Sequence, residues 1–440
     1  MYNTALSLNR KKFIGYFFKS IHGLRYAMLK YTSLSMDEIP ESSDIDLLID
    51  EQELNPILNI ISAGTNVLKI DLHKKSFVTY VSIFFEDCGY LEIDLIHRFD
   101  RKGLIYLESK LMLEHAELNY EGIKVASKQH HFEYVMLFYM MNKAEVPFKY
   151  QNHFTAFSTE KRAAIFSYLL EKYRLHINTL DDLYDPHKRH RKKILNKIKT
   201  CPENTKLNSF TNKLRYWKDV IIDIRRKRGY AVSFSGVDGA GKSTVLLNIN
   251  NSLRSKYRQQ TIVLRHRPSL LPILSSFRYG KQQAQDRAKT TLPRKGKNKN
   301  SVSSLLRFSY YFLDYLIGQG FVYYKYILRG YIVLYDRYYF DFIADSKRSN
   351  IVLNKNFVKL LYRFVYKPQI NIFLCAPPET ILQRKQELNA NDIQVLTHEY
   401  KLLFDEFAQR YKNQQYITIS NVDLNKTIDT VIKECISVTN

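Results

Sequence analysis

Apolar residues recur along this chain with two spacings, and each spacing predicts a different element. Recurrence every three or four positions predicts helices in residues 1–31 and 128–173. Alternation of apolar and polar residues predicts strands at 44–50 and 91–96, because successive side chains of a strand point to opposite faces. The first part of the chain is therefore predicted to be an α+β domain with a helical extension.

In the second half, short apolar runs alternate with helical patterns. The runs predict buried strands at residues 230–234, 261–264, 331–338, 370–374 and 416–419. A long aromatic helix is predicted at 302–328. Strands that alternate with helices predict an α/β domain with a parallel sheet covered by helices on both faces, and with the ligand at the carboxyl ends of the strands.

Length and the change of pattern together predict three regions. A chain of 440 residues exceeds the size of one ordinary core. We expect a first domain at residues 1–178, a basic helical connector at 179–228 and a second domain at 229–440. The connector carries the only tryptophan of the chain, Trp217.

Composition narrows the class of protein without indicating a reaction. Hydrophobic residues make up 45% of the chain and charged residues 25%, which is typical of globular proteins. The four cysteines form no C-x-x-C pair, so neither a zinc site nor a disulfide framework is indicated. Charged residues interrupt every apolar window of membrane-spanning length, and we therefore expect a cytoplasmic protein with no membrane span.

The chain is strongly basic, with a formal net charge of +24. This charge is compatible with nucleic acid, a membrane surface or phosphorylated metabolites as partners. The basic residues concentrate at 187–193, 225–228 and 281–299, which are interpreted first as solvated linker and loop segments.

One motif in the second domain predicts phosphate binding. Residues 235–244 read Ser-Gly-Val-Asp-Gly-Ala-Gly-Lys-Ser-Thr, directly after a predicted strand and at the start of a predicted helix. Glycines let backbone N–H groups surround phosphate oxygens, Lys242 reaches the outer phosphates, and Ser243 offers a hydroxyl to Mg²⁺. The motif pattern G-x-x-x-x-G-K-[ST] fixes four positions, which are Gly236, Gly241, Lys242 and Ser243 here. A simple glycine turn is the alternative, but this pattern recurs by chance in about one chain of this length in a hundred. The predicted binding residues are Gly236, Asp238, Gly239, Ala240, Gly241, Lys242, Ser243 and Thr244.

Three carboxylates in the first domain predict a metal site. Asp44 and Asp46 share one face of the strand at 44–50, and Asp94 lies in the strand at 91–96. If these strands pair, the three side chains converge on a Mg²⁺ site with oxygen ligands. Solvated acids at a strand edge are the alternative.

The first domain resembles a known fold. Ser-Asp-Ile-Asp-Leu-Leu-Ile (43–49) followed by Leu-Glu-Ile-Asp-Leu-Ile (91–96) is similar to the minimal nucleotidyltransferase fold across about residues 24–154. The resemblance implies that Asp44, Asp46 and Asp94 hold metals for nucleotidyl transfer. This chain departs from the fold at 30–40, where the usual Gly-Ser pair is missing, so a catalytic and a non-catalytic domain both remain open.

Residues 229–440 resemble the thymidylate kinase family of P-loop kinases. Three segments carry the resemblance: the loop with Asp238 inside it, the strand that ends in Asp336-Arg337-Tyr338, and 372–379 followed by Arg384. The resemblance implies that Asp238 contacts the nucleoside sugar of the acceptor and that Asp336 serves the metal together with Ser243. It also implies that Lys242, Arg337 and Arg384 stabilise the transferring phosphoryl group.

The acceptor-binding elements depart from that family. Arg267 lacks the acidic neighbour of the family pattern, and Asp341 replaces a small residue. Asp345 and Arg348 add further polar groups beside the predicted acceptor site, where they offer contacts to hydroxyls of a different acceptor. The alternative is that Asp341 and Asp345 are helix-surface acids paired with Lys347 or Arg348. Surface charge on a helix is likewise the alternative for Arg384 and its neighbours.

These observations favour an ATP- and Mg²⁺-dependent phosphotransferase of the thymidylate kinase type. Its acceptor is a nucleoside monophosphate or, alternatively, a phosphorylated sugar or related metabolite. A second hypothesis is a nucleotidyltransferase regulated by a nucleotide-binding kinase-like domain, and a third is a nucleic-acid-binding protein. The combination of domains is similar to kinase-like proteins of bacterial surface-polysaccharide clusters, and the aromatic helix near 310–324 is a candidate homodimer contact.

Overall fold

The computed structural model describes residues 7–32, 35, 39–40, 43–184, 190–226, 229–265 and 300–438, with backbone only for 224–226. The chain divides into two compact units, Met1–Asp223 and Ile224–Asn440. The predicted acceptor residue Arg267 and the basic segment 281–299 lie outside the described residues, as do 187–189 and 227–228.

The described part of the first unit is a mixed α/β arrangement. Its helices are Leu8–Ile21 (α1), Leu54–Ser62 (α2), Ser109–Glu114 (α3), Lys128–Met141 (α4), Phe148–Thr155 (α5), Thr159–Tyr173 (α6), His190–Lys199 (α7) and Lys206–Arg226 (α8), the last of which runs into the second unit. Its strands are Tyr26–Leu29 (β1), Ile45–Ile49 (β2), Val67–Lys74 (β3), Val78–Phe85 (β4), Tyr90–Ile96 (β5), Phe99–Arg101 (β6), Leu104–Leu107 (β7), Glu117–Leu118 (β8) and Lys124–Val125 (β9).

Seven of these strands form one sheet in the order β3-β4-β5-β2-β1-β9-β8, and β6 pairs with β7 separately. Four of the neighbouring pairs in the sheet are antiparallel, whereas β2 runs parallel to β5 and β1 runs parallel to β9. The parallel register places Asp46 of β2 directly opposite Asp94 of β5. Two strands that are far apart in sequence are therefore neighbours where the carboxylates lie.

Helices bury both faces of this sheet. Ile45, Leu47 and Ile49 of β2 lie in an apolar cluster with residues of α1 and α2. Leu48 lies in a second cluster, with residues of α4, α6 and α7. Because side chains alternate along a strand, Asp46 shares the face of Leu48 and points toward the second group of helices.

The segment 179–228, predicted to be a separate connector, packs in part onto the first unit. Leu180, Leu183, Ile194 and Ile198 are buried in the same cluster as residues of α4 and α6. The division between the units falls after Asp223. The apolar residues of this segment are sparse in sequence, yet each of these four lies where a helix or turn meets the core.

The described part of the second unit alternates strands and helices. Its strands are Ala231–Gly236 (β10), Thr261–Arg265 (β11), Ile332–Asp336 (β12), Ile370–Cys375 (β13) and Gln415–Ser420 (β14). Its further helices are Lys242–Ser255 (α9), Ser301–Lys325 (α10), Phe340–Ala344 (α11), Lys355–Leu361 (α12), Pro378–Arg384 (α13), Ala390–Arg410 (α14) and Leu424–Val438 (α15).

The five strands form a parallel sheet in the order β11-β12-β10-β13-β14. Val333 and Tyr335 of β12 lie in a cluster with residues of α10, α11 and α14, while Ile332 and Leu334, on the opposite face, are also fully buried. The predicted α/β architecture of this half is thus confirmed. Since all five strands are parallel, their carboxyl ends lie along one edge of the sheet, where the glycine motif begins.

Two further predictions concern the whole chain. No disulfide joins the four cysteines, all of which are among the described residues. Within the described ranges, no helix combines the length and the apolar character needed to cross a membrane.

Candidate active site

The glycine motif forms a loop between the end of β10 and the start of α9. Gly236, Gly239 and Gly241 have φ angles of +151°, +88° and +86°, a region that favours glycine. A Cβ atom at Gly236 would lie 2.3 Å from the carbonyl oxygen of Leu374, and one at Gly241 would lie 2.4 Å from Nδ2 of Asn421. The backbone conformation therefore favours glycine at all three positions, and Gly236 and Gly241 also lack space for a Cβ atom.

The amide of Asn421 closes the loop from the end of β14. Its Nδ2 donates a hydrogen bond of 2.8 Å to the carbonyl oxygen of Ala240. The chain then enters α9 at Lys242, and Ser243 and Thr244 follow as exposed residues of the first turn. The amino terminus of a helix carries partial positive charge and free N–H groups, so the loop and the helix start together suit an anion.

The side chain of Lys242 is buried within the loop. Its Nζ donates hydrogen bonds of 2.8 Å to the carbonyl oxygens of both Gly236 and Val237. Burial lowers the pKa of Lys242 to about 7; Arg337 adds to this decrease, and Asp238 opposes it. A phosphate group entering the loop would supply the negative charge that keeps this ammonium group protonated.

A buried ionic network joins the loop to the end of β12. Arg337, directly after β12, has a φ of +76° and donates from NH2 to Asp238 and from NH1 to Asp341, both at 2.6 Å. Arg348 donates to the other oxygen of Asp238. The hydroxyl of Tyr400 donates to the other oxygen of Asp341 at 2.8 Å.

This network keeps the guanidinium of Arg337 charged. Burial by itself would lower the pKa of Arg337, but the carboxylates of Asp341 and Asp238 raise it above its usual range. A positive φ in a residue other than glycine is uncommon and is often found at functional sites. The ion pairs therefore hold an arginine of unusual backbone conformation beside the glycine loop.

Asp341 is not the surface acid that one interpretation of the sequence proposed. It is fully buried, and both of its oxygens accept hydrogen bonds, one from Arg337 and one from Tyr400. All residues of the helix α11 that carries it are buried, and its apolar residues belong to the aromatic-rich cluster of this unit. Asp341 thus positions Arg337, and direct contact with an acceptor stays a prediction.

Asp345 and Arg348 belong to the same neighbourhood. Asp345 is also buried, and its backbone N–H donates to the carbonyl oxygen of Asp341. It begins the short 3-10 turn Ser346–Ser349, which carries Arg348 toward Asp238. The predicted acceptor residues among the described ones, Asp238, Asp341, Asp345 and Arg348, therefore lie together.

Asp336 and Arg384 lie at two sides of the loop. Asp336 ends β12, and Arg265 Nε lies 3.7 Å from its Oδ2. Arg384 ends α13, with both terminal nitrogens 3.4 Å from the carbonyl oxygen of Asn421. The α13 helix stops there, and the next residues leave the helix, with Lys385 paired to Glu387 at 3.0 Å.

These residues offer suitable ligands for Mg²⁺. The hydroxyl of Ser243 and the carboxylate of Asp336 are the hard oxygen donors that this ion prefers, and both belong to segments at the same edge of the sheet. The donor set therefore fits the predicted metal at the glycine loop.

The order of these elements agrees with a comparison against known families. Residues 234–434 match the thymidylate kinase family. The match begins in β10 and ends in α15, so it includes the loop, Asp336, Arg337 and Arg384. It confirms the predicted resemblance for this part of the chain and supports a kinase-like phosphotransferase domain there; the first unit lies outside it.

Among solved structures, one similar chain is the thymidylate kinase from Ehrlichia chaffeensis. It is 16% identical, with a TM-score of 0.31, and the alignment covers 47% of this chain and 98% of that chain.

Three residues of the kinase-like site were not identified from the sequence: Tyr400, Asn421 and Arg265. Tyr400 lies in the middle of α14, where its position in the apolar periodicity indicates core. Asn421 stands directly after β14, and Arg265 ends β11. A polar residue at the carboxyl end of a parallel strand is the one signal that would have indicated the last two.

The first unit contains the predicted carboxylate cluster. One oxygen from each of Asp44, Asp46 and Asp94 lies within 4.8 Å of the others. Mg²⁺ holds its ligands at about 2.0–2.1 Å, so opposite ligands lie about 4 Å apart, and small side-chain movements would complete a site. Among the described residues, this is the only group of three or more acidic, histidine or cysteine side chains with such spacing.

A lysine contacts this cluster. Lys30 Nζ lies 3.0 Å from Oδ1 of Asp46 and 3.8 Å from the ring centre of Phe138 on α4. Lys30 follows β1 with a φ of +51°, at the start of the segment 30–40, which lies partly outside the described residues. The positively charged side chain of Lys30 thus lies beside the carboxylates.

The carboxylates strongly affect one another. Burial raises the pKa of Asp94 to about 9; Asp46, Glu92 and Asp44 add to this increase, and Lys30 opposes it. Oδ1 of Asp94 is buried with no hydrogen-bond partner. A divalent cation would compensate for the repulsion among these groups, so the donor set fits a metal.

Proposed function

We propose that this protein is an ATP-dependent phosphotransferase that uses Mg²⁺ and acts on a nucleoside monophosphate, as a thymidylate-kinase-like nucleotide kinase. An oxygen of the acceptor phosphate attacks the γ-phosphorus of ATP, the bond to the β-phosphate oxygen breaks, and ADP leaves. The observation that carries the proposal is the glycine loop around buried Lys242, with Arg337 and Arg384 beside it.

Each residue of this site has a role in that reaction. Lys242 exchanges its two backbone acceptors for phosphate oxygens and neutralises charge that moves toward ADP. Arg337 and Arg384 stabilise charge on the transferring group, and Ser243 and Asp336 hold the Mg²⁺, which supplies further neutralisation. Phosphoryl transfer depends mainly on positioning and electrostatics, which a ring of fixed cations provides.

The acceptor distinguishes two forms of this proposal. Asp238 is held from both sides by Arg337 and Arg348, so it is placed to orient a hydroxyl of the acceptor. The same groups suit the hydroxyls of a phosphorylated sugar, which is the alternative acceptor. A role in bacterial surface-polysaccharide or nucleotide-sugar metabolism belongs to that alternative.

The test is Mg²⁺-dependent ADP formation by the purified full chain with a panel of nucleoside monophosphates and phosphorylated sugars. Lys242→Ala should abolish turnover without loss of circular dichroism, whereas Lys401→Ala, which removes an exposed lysine of α14, should leave it unchanged. ADP formation that persists in Lys242→Ala would contradict the assignment of the site.

A second candidate function is nucleotidyl transfer by the first unit, with the kinase-like unit as nucleotide-binding regulator. The spacing of Asp44, Asp46 and Asp94 favours it. The assay is release of pyrophosphate from nucleoside triphosphates. Loss of all product in Asp44→Ala, with retained product in Lys242→Ala, would select this function over the kinase.

The proposed partners follow from exposed surface and charge. A row of exposed apolar residues on α10, including Leu306, Ile317 and Tyr324, supports a homodimer through the kinase-like unit, to be tested by sedimentation. The net charge of +24 keeps nucleic acid as a further candidate, which predicts binding that falls steeply as salt rises.

A further inference from the structure

Helix α8 packs with its polar side inward. Asp219 is buried and accepts hydrogen bonds from the backbone N–H and the hydroxyl of Ser76, at 3.0 Å and 2.6 Å. Asp223 pairs with Lys75 at 2.9 Å. Asn212 is also buried and donates to the carbonyl oxygen of Glu203. This polar attachment to the first unit leaves the apolar side of the helix facing out.

Five large apolar side chains form a continuous row on that outer side, which we call the α8 stripe. Their exposed fractions are 76% for Leu207, 62% for Phe210, 54% for Leu214, 61% for Trp217 and 50% for Ile221. The spacing alternates between three and four residues, which keeps the row on one face over about 21 Å of helix. Contiguous exposed apolar surface of this kind marks an interaction site.

The charges around the stripe indicate what it binds. Three exposed lysines flank the stripe: Lys206, Lys213 and Lys218. With 100° of rotation per residue around the helix axis, they lie about 60–80° from the centre of the stripe, on one side or the other. The acids Asp219 and Asp223 face the opposite way, into the first unit. The exposed charged residues along the border of the stripe are therefore all basic.

A second copy of the same helix fits this border poorly. In a helix pair built on this spacing, Lys206, Lys213 and Lys218 would occupy the positions that flank the seam, where like charges from the two copies would meet. An anionic lipid surface complements the same lysines. An apolar face with Trp and Phe, bordered by lysines, is the pattern of helices that lie in a membrane interface.

We propose that α8 docks in the plane of an anionic lipid bilayer, with the α8 stripe inserted at the boundary of headgroups and acyl chains and the flanking lysines on the lipid phosphates. The helix lies on the membrane and does not cross it. The inference is independent of the reaction that either unit catalyses.

Trp217 is the only tryptophan of the chain, so its fluorescence reports on the stripe directly. The full-length protein is mixed with vesicles of phosphatidylcholine alone or with added phosphatidylglycerol, and emission and co-sedimentation are measured. The proposal predicts binding to the anionic vesicles, a blue shift of Trp217 emission, and weakening by salt. Leu214→Glu should reduce partitioning by about tenfold to a hundredfold, because a buried leucine contributes about 1.5–3 kcal/mol.

The matched control is Leu402→Glu on α14, because Leu402 is exposed to the same 54% as Leu214. It should bind vesicles like the wild type. The proposal is overturned if the protein does not bind anionic vesicles, if it binds without a shift of Trp217 emission, or if Leu214→Glu binds unchanged. A dimer that Leu214→Glu dissociates, or a Trp217 emission already characteristic of an apolar environment without vesicles, would assign the stripe to a protein contact instead.

Discussion

The substitution Asp341→Asn tests whether the buried ion pairs hold Arg337 in the kinase-like site. Asparagine keeps the size of the side chain but removes its charge, and its amide group presents a donor where Arg337 and Tyr400 both donate. Asp341 is fully buried and the side chain of Arg337 is 9% exposed, so water can replace little of the lost interaction.

The expected loss of stability follows from the partners that remain. Removal of one member of a buried ion pair costs about 3–5 kcal/mol. Asp238 still faces the other side of Arg337 at 2.6 Å, so we expect the lower end, about 3 kcal/mol, or roughly a hundredfold in the unfolding equilibrium. Tyr400→Phe, which removes one hydrogen bond to a charged group, should cost about 1.5–3 kcal/mol.

Urea unfolding measures the change in the free energy of unfolding. In a separate hydrogen-exchange experiment, peptides from β10 and β12 should lose protection. Asp405→Asn is the matched control, because Asp405 is exposed on α14, the helix that carries Tyr400, and a surface change should stay within about 0.5 kcal/mol. A loss of less than about 0.5 kcal/mol in Asp341→Asn would refute the reasoning. So would additive losses in the double variant Asp341→Asn/Tyr400→Phe, because contacting residues should be coupled.

Three further predictions concern other positions. Gly241→Ala should destabilise the protein by about 1–3 kcal/mol and weaken binding of a fluorescent ATP analogue, because φ is +86° and the new Cβ meets Asn421; unchanged binding would contradict this. Lys30→Met should raise the affinity of the carboxylate cluster for Mn²⁺ by about tenfold, measured by electron paramagnetic resonance. The reason is that a unit positive charge about 4 Å from the metal contributes about 1–4 kcal/mol of repulsion. Equal affinity would show that Lys30 does not compete with the metal. Burial lowers the pKa of His131 to about 3, with a contribution from His153. Below about pH 6 only the unfolded chain therefore takes up a proton at this residue. The free energy of unfolding should fall as pH decreases, by up to about 1.4 kcal/mol per pH unit. His131→Phe should flatten this slope in urea titrations at different pH values.

Local patterns predicted the elements of the kinase-like site well. The apolar run before the glycine motif is β10, and the helix begins at Lys242, because strand, turn and helix preferences depend on nearby residues. The network around Arg337 could not be predicted in the same way. Tyr400 bonds to Asp341 across 59 positions of sequence and Asn421 bonds to Ala240 across 181, and such contacts follow from how the sheet is assembled.

Helix α8 shows a different limit of sequence analysis. Periodicity assigns residues to faces of a helix but does not say which face is buried. Here Asp219 and Asn212 make contacts within the first unit that turn the polar face of α8 inward. The usual arrangement, in which the apolar face of a helix is buried, is therefore reversed. In the first unit, the alternation of side chains placed Asp44 and Asp46 on one face of a strand. The proximity of Asp94 depends on the pairing of β2 with β5, which the local sequence pattern permits but does not predict.

The register between β2 and β5 restricts how the carboxylate cluster can change during evolution. An insertion or deletion of one residue before Asp46 within β2 would turn this carboxylate to the face covered by α1 and α2 and would move Leu47 out of that core. The same change would disrupt the fold and the cluster together. Descendants of this chain can therefore vary in length in the loops around these strands, whereas the cluster itself can be lost only through substitutions that leave the sheet intact.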